Sequence, residues 1–393
     1  MPLPDYNGNS IVNLMASVVA GLGRIPSESR NGDPLYKPHS VVTPELLDAS
    51  KHVLLLVFDG LGYDYLRRRI PNGTLSAGLS APMTSVFPST TTSAISTFLT
   101  AEAPQQHALT GWFLWLREVG MVASPLPFRT RAGSRLLETC GLKSETLFDR
   151  RPIFNLIERD CFMLQPEKLS NSSYTRAHAG RAMVQPFRNL KHMFARIRTI
   201  TAGLKPSFTY AYWPELDTLG HRHGMESDVA AVHLEEIDQG VADLLDSVQR
   251  RDVCLVVTAD HGFVDTDEDS WVDLSGHPEL SRTLAVPLCG EPRAAYCYVD
   301  AHRERDFEDY VGERLSEFCE LHSSENLIAE GIFGHGDPHP RLRERVGHYC
   351  LIMKDNYAIR DRLATEKDGK NMIGVHGGTS SAEMHVPLAL FRG

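Results

Sequence analysis

Residues 52 to 60 read HVLLLVFDG: six apolar side chains in succession, then an aspartate and a glycine. A strand with one wet face alternates apolar and polar residues, so an unbroken apolar run belongs to a strand covered on both sides. Two more runs share this character, SFTYAYWPE at 207–215 and VCLVVTADHG at 253–262, and a shorter one, VPLALFRG, closes the chain from residue 386. Between the second and third runs, Leu234, Ile237, Val241, Leu244, Leu245 and Val248 recur at helical spacing, and Ser227 or Asp228 stands where a cap is needed. Strand, helix and strand over about fifty residues make a βαβ unit. The expected fold is therefore α/β, with a mostly parallel central sheet and helices on both faces.

Length and composition fit one large domain. The 393 residues are 42% hydrophobic and 23% charged, which suits a single α/β domain over 1–393 carrying insertions. Two stretches rich in Arg and Pro, 113–200 and 264–345, read as insertions that cap the core. Fifty acidic against forty basic residues give a net charge of -10, which argues against a surface that coats nucleic acid. Cysteines 140, 161, 254, 289, 297, 319 and 350 are scattered with no CxxC pair, as expected for reduced thiols in the cytoplasm. The N-terminal stretch reads as an amphipathic helix capped near Asn9 or Ser10 and ending at Gly23. It is too short to cross a bilayer and has no basic residue before Arg24, so neither a span nor a secretion signal is expected. Composition is silent on the oligomeric state.

The chemistry gathers at the ends of the strands. Asp59 follows the first run, Asp217 and His221 the second, Asp260 and His261 the third, and His376 lies in GVHGG near the C-terminus. Open α/β sheets bind ligands beyond the carboxyl ends of their strands. An aspartate placed directly after an apolar strand is costly unless something satisfies it. Three carboxylates and three imidazoles without thiolates suit two divalent ions, zinc first and manganese second. A hydroxyl-rich segment, VFPSTTTSAISTFLT at 86–100, offers a nucleophile for a phosphoryl group clamped between such ions. The plainer reading of that segment is a helix following Pro88 and capped by Ser89.

Taken in order, VFDGLG, FPSTTTS, DTLGH, TADHG and GVHGG resemble the alkaline phosphatase superfamily, in particular its type I phosphodiesterase/nucleotide pyrophosphatase branch. The resemblance runs from residue 58 to residue 378 and implies an alkaline phosphatase-like fold. It places the nucleophile on Thr91, with Thr90 the next candidate, and implies a phosphoryl-threonine intermediate. It assigns Asp217, His221 and His376 to one metal, and Asp59, Asp260 and His261 to the other, with Thr91 completing that second site. The Asp-x-x-x-His spacing lets both side chains reach one ion from a single helical turn, and Gly262 would permit the turn that Asp260 and His261 need. The implied activity is hydrolysis of a small-molecule phosphodiester or phosphoanhydride. A phosphomonoesterase or phosphonate hydrolase with the same metals is the alternative, and a metal-stabilised binding protein without turnover is a third reading.

The chain departs from the branch in HALTGW, where Ala108 replaces the usual Gly. In the same stretch an Asn whose amide meets a phosphoryl oxygen is replaced by Trp112. Trp112, Tyr212 and Trp213 could stack a planar part of the substrate, or be ordinary core aromatics. The Arg- and His-rich segment 331–349, with His335, His339 and His348, reads as a solvated loop, with a cation for the substrate phosphate as the other possibility.

Overall fold

The computed structural model describes residues 3–23, 34–366 and 372–393. Its frame is five strands running in one direction: β1 (His52–Phe58), β2 (Asp160–Pro166), β3 (Met183–Phe187), β4 (Ser207–Trp213) and β5 (Val253–Thr258). Every residue of β1, β4 and β5 is buried, as their unbroken apolar character requires. After β5 the chain builds a separate antiparallel sheet from β6 (Cys289–Glu291), β7 (Ala294–Cys297), β8 (Cys319–Ser323) and β9 (Tyr349–Met353), in the order β6-β7-β9-β8. It then returns as β10 (Ala389–Arg392), which pairs antiparallel with β5. The central order is β10-β5-β1-β4-β2-β3, parallel throughout except at the β10 edge.

The register decides where the site lies. Phe58 pairs with Trp213, and Val57 with both Tyr212 and Thr258, so β1, β4 and β5 end level with one another. The acidic and imidazole residues that follow these strands are thereby delivered to one edge.

The longer helices are α1 (Ile11–Leu22), α2 (Thr91–Thr100), α3 (Leu190–Thr201), α4 (Glu215–His223) and α5 (Asp228–Val248). The side chain of Ser227 accepts from Ala230 N–H and starts α5, whose Leu234, Ile237, Val241 and Leu244 are all buried. Helix α1 begins after Ser10, whose N–H and hydroxyl both donate to Asn13 Oδ1, and ends at Gly23. No helix among the described residues is long and apolar enough to cross a membrane.

The insertions differ from the expected boundaries. Residues 160–187, inside the first expected insertion, supply β2 and β3 to the central sheet. Their pattern hides this: β3 is an edge strand with an exposed Met183 and an interior Pro186, and β2 mixes Asp160 and Gln165 with its apolar residues. The second stretch carries the antiparallel sheet with apolar clusters of its own, and that sheet runs past residue 345 to include β9. Segment 331–349 is not a solvated loop. Phe333 and Leu342 are fully buried in it, and buried Arg345 donates to Ala108 O at 3.1 Å.

Candidate active site and metal centre

Helix α2 resolves the crowd of hydroxyls. Its residues from Thr92 to Thr100 are all buried, a setting in which unpaired hydroxyls are costly. Ser96, Thr97 and Thr100 donate to the carbonyls of Thr92, Ser93 and Ser96 at 2.7, 3.1 and 2.7 Å, each one turn back along the helix. Ser93 donates outside the helix to Leu109 O at 2.9 Å, and Thr92 Oγ1 is buried without a partner. Ser89 is not the cap: its hydroxyl donates to Gly378 O at 2.7 Å, and Thr90 holds the N-cap position without a side-chain capping bond. Thr91 is the first helical residue, and it faces the strand ends.

There the sequence-selected residues meet. His261 Nε2 lies 3.2 Å from Thr91 Oγ1, 3.3 Å from Asp59 Oδ1 and 3.5 Å from Asp260 Oδ2. Beside them, Asp217 Oδ1 lies 3.3 Å from His221 Nε2 and 3.7 Å from His376 Nε2, and those two nitrogens are 3.3 Å apart. The groups abut: the rings of His261 and His376 stack with centroids 3.7 Å apart, and Asp217, His261 and His376 also bring donor atoms within 4.8 Å of one another. His261 is thus within reach of both clusters.

Neighbouring groups hold these side chains in place. His221 Nδ1 meets Gly374 O at 2.8 Å and His261 Nδ1 meets Gly262 O at 3.0 Å, which leaves each Nε2 facing the cluster. Asp260 Oδ1 accepts from Gly60 N–H at 3.1 Å and His261 N–H at 3.0 Å, and Tyr212 donates its hydroxyl to Asp59 Oδ2. The opposite oxygens, Asp59 Oδ1 and Asp260 Oδ2, and Asp217 Oδ1 have no hydrogen-bond partner. Gly262 serves close packing, since a Cβ there would sit 1.9 Å from Ala382 O.

The electrostatics match a cation site. Burial, then the charges of Asp217 and Asp260, push the Asp59 carboxyl well up, and burial raises Asp260. Burial pulls the His221 imidazole down, but Asp217 outweighs it and lifts the group to about 9. Burial, with His261 and His221 beside it, lowers His376. Carboxylates that resist ionising together, with unpartnered oxygens turned toward imidazoles, are what a pair of divalent ions would relieve.

A cavity of about 530 Å³ opens from Thr91, Asp217, His221 and His376. Trp112 lines it with an exposed side chain. Tyr212 and Trp213 do not line it. Tyr212 is engaged with Asp59, and Trp213 is buried against Phe187 and donates Nε1–H to His233 at 2.9 Å. His335 stacks on Tyr36 and His339 pairs with Asp149 at 3.0 Å, neither of them at the cavity.

One wall residue carries no sequence signal. Glu291, at the end of β6, accepts from Thr90 Oγ1 at 2.5 Å and from Trp112 N–H at 2.6 Å, and burial raises its carboxyl to about 7. It lies in the antiparallel sheet, about 180 residues from Trp112 and 200 from Thr90, outside every motif.

A sheet of this topology, with Asp59, Asp260 and His261 directly after its strands and Thr91, Asp217, His221 and His376 gathered beside them, is that of an alkaline phosphatase superfamily protein. The chain belongs to the type I phosphodiesterase/nucleotide pyrophosphatase family, whose model matches residues 53–379. No curated protein matches the sequence. Among solved structures, murine ectonucleotide pyrophosphatase/phosphodiesterase 5, an inactive variant in complex with AMP, superposes with a TM-score of 0.63 at 16% identity, covering 86% of this chain and 87% of that one. The human protein of the same name gives 0.63 at 15% identity, with 86% and 87% covered. Phosphonoacetate hydrolase from Sinorhizobium meliloti, bound to phosphonoformate, gives 0.61 at 16%, covering 87% and 90%.

Proposed function

We propose that this protein is a two-metal phosphoric ester hydrolase that uses Thr91 as its nucleophile on a phosphodiester or phosphoanhydride. The observation that carries the reading is the gathering of three unpartnered carboxylate oxygens and three imidazoles into two abutting clusters, one of which meets Thr91 Oγ1 through His261 Nε2 at 3.2 Å. Asp217, His221 and His376 would hold one ion, and Asp59, Asp260 and His261 the other, with Thr91 completing the second. Zinc suits this donor set best, and manganese second. Bound there, the ions supply charge neutralisation and a lowered pKa for a hydroxyl.

The chain's own groups account for the rest. Thr90 leaves the first turn of α2 uncapped, so its free N–H groups and the helix dipole can receive phosphoryl oxygens. Thr91 gives up its hydroxyl proton to solvent, and its Oγ1 forms a bond to phosphorus as the bond to the departing oxygen breaks. The departing group leaves with a proton from solvent, and water then hydrolyses the phosphoryl-threonine to restore the hydroxyl. Tyr212 fixes Asp59, and the carbonyls of Gly374 and Gly262 fix His221 and His261. Trp112 presents an indole to whatever the phosphorus carries. Seven free cysteines, six of them buried, support a reducing, cytoplasmic setting. The test is Thr91→Ala: turnover of bis-p-nitrophenyl phosphate should vanish while elemental analysis still finds two metals per chain. Full activity in that variant would remove the nucleophile assignment.

A further inference from the structure

The charges of the cavity wall are not all balanced alike. Arg131 is neutralised by Asp361 at 2.7 Å and Glu366 at 2.8 Å, and lies over the Phe113 ring at 4.3 Å. Arg360 is held by Asp273 at 2.7 Å and lies over Trp271 at 5.2 Å. Arg362 adds its positive charge beside Glu366. Glu291 is different. Its two hydrogen-bond donors, the Thr90 hydroxyl and the Trp112 amide, are both neutral, and it is wedged against the loop that carries His376, where a Cβ on Gly377 would come within 2.5 Å of it. It therefore adds a negative charge next to the residue that precedes Thr91, opposed by the His221 imidazole rather than by a guanidinium. Between these charged groups the wall offers an apolar surface from Trp112, Phe113, Trp271, Leu288, Ile359 and Met372. A volume of about 530 Å³ suits a flat group of drug-like size.

We propose that this wall selects a singly charged phosphodiester bearing an uncharged, flat apolar substituent, and that Glu291 turns away doubly charged monoesters and carboxylated phosphonates. The inference rests on the reading of Thr91 as nucleophile. Its physical content is Coulombic: a second negative charge on the substrate meets Glu291 inside a partly dry cavity, where one charge pair at several ångströms is worth at least tenfold in affinity.

The experiment uses metal-loaded protein at pH 8.5, where Glu291 carries its charge. The wild type should prefer bis-p-nitrophenyl phosphate to p-nitrophenyl phosphate and to phosphonoacetate in kcat/KM. Glu291→Gln, which can still accept both hydrogen bonds, should move the diester-to-monoester ratio toward the monoester by about tenfold, whereas Glu291→Asp should keep the wild-type preference. Trp271→Ala should lower kcat/KM for bis-p-nitrophenyl phosphate more than for methyl p-nitrophenyl phosphate. A readout without turnover is calorimetric binding of orthophosphate and dimethyl phosphate to Thr91→Ala protein, where adding Glu291→Gln should tighten orthophosphate alone. A wild type that prefers the monoester, or a Gln variant with unchanged ratio and unchanged orthophosphate affinity, overturns the proposal. A wild type with no turnover but with the calorimetric shift sinks the hydrolase reading and leaves the charge selection standing.

Discussion

A buried ion pair ties the turn between β6 and β7 to the C-terminal segment after His376, and removing half of it should be costly. Arg293, between β6 and β7, reaches Glu383 with Nη2–Oε2 at 3.0 Å and Nε–Oε1 at 3.2 Å, and both side chains are essentially unexposed. The guanidinium also donates to Lys354 O at 3.0 Å and to Tyr357 O, while Glu383 accepts from Gly378 N–H at 2.8 Å in the loop that carries His376. Arg293→Met would strand a carboxylate and two carbonyls. Breaking a buried pair from one side costs about 3–5 kcal/mol, because the remaining charge is left without compensation. The bonds from Gly378 and from Ser380 Oγ at 2.6 Å soften this, so we expect about 4 kcal/mol. For 393 residues unfolding as one unit, with an entropy of roughly 0.8 kcal/mol/K, that lowers Tm by about 5 °C. Scanning calorimetry of wild type, Arg293→Met and the double variant Arg293→Met/Glu383→Gln reads it directly. The double variant should recover at least half of the loss, since the orphaned charge is gone. A single variant within 1 °C of wild type would refute the reasoning.

Three further outcomes follow from the same structure. His178 is buried against Tyr174 and Phe148, and burial pulls its imidazole down to about 4. Because the unfolded chain takes up that proton near pH 6.5 and the folded one does not, its contribution is complete above pH 6.5 and is lost as pH falls toward 4, about 2.5 kcal/mol by pH 4.5. Urea melts of wild type and His178→Met between pH 7 and 4.5 should therefore converge at the acid end, and parallel curves would contradict the assignment. Tyr212→Phe removes the hydroxyl that fixes Asp59 and should weaken zinc binding by about tenfold in competition with a chromophoric chelator, whereas unchanged affinity would free Tyr212 of that role. Stripping metal should lower Tm by several degrees and re-adding zinc should restore it, each ion at a hundredfold excess over its Kd stabilising by about 2.7 kcal/mol. A Tm indifferent to chelator would count against resident ions.

The sequence revealed most where burial left it no freedom. The runs forming β1, β4 and β5 are apolar without interruption because both faces are covered, and the acidic residues after them stand out for that reason. Asp59, Asp260 and His261 were legible because they follow β1 and β5, which the register brings level, and Asp217 and His221 because they lie on the helix after β4. His376 lies beyond the central sheet and was legible from its motif alone. Strands β2 and β3 were not, since an edge position tolerates Pro186 and exposed Met183. For Tyr212 and Trp213 the sequence left substrate contact and core packing both open, because residue type does not say what a strand side chain will meet. In the structure they meet Asp59 and Phe187. Ser89 looked like the helix cap, but its hydroxyl serves Gly378 on a distant loop. Glu291 was invisible: its environment is assembled from three chain segments that only the fold brings together.

The most direct measurement is anomalous diffraction from crystals soaked in zinc and vanadate. The account predicts two peaks, one bounded by Asp217, His221 and His376 and the other by Asp59, Asp260 and His261, with vanadate on Thr91 Oγ1 between them. Vanadate seated elsewhere, or zinc absent from these residues, would contradict it.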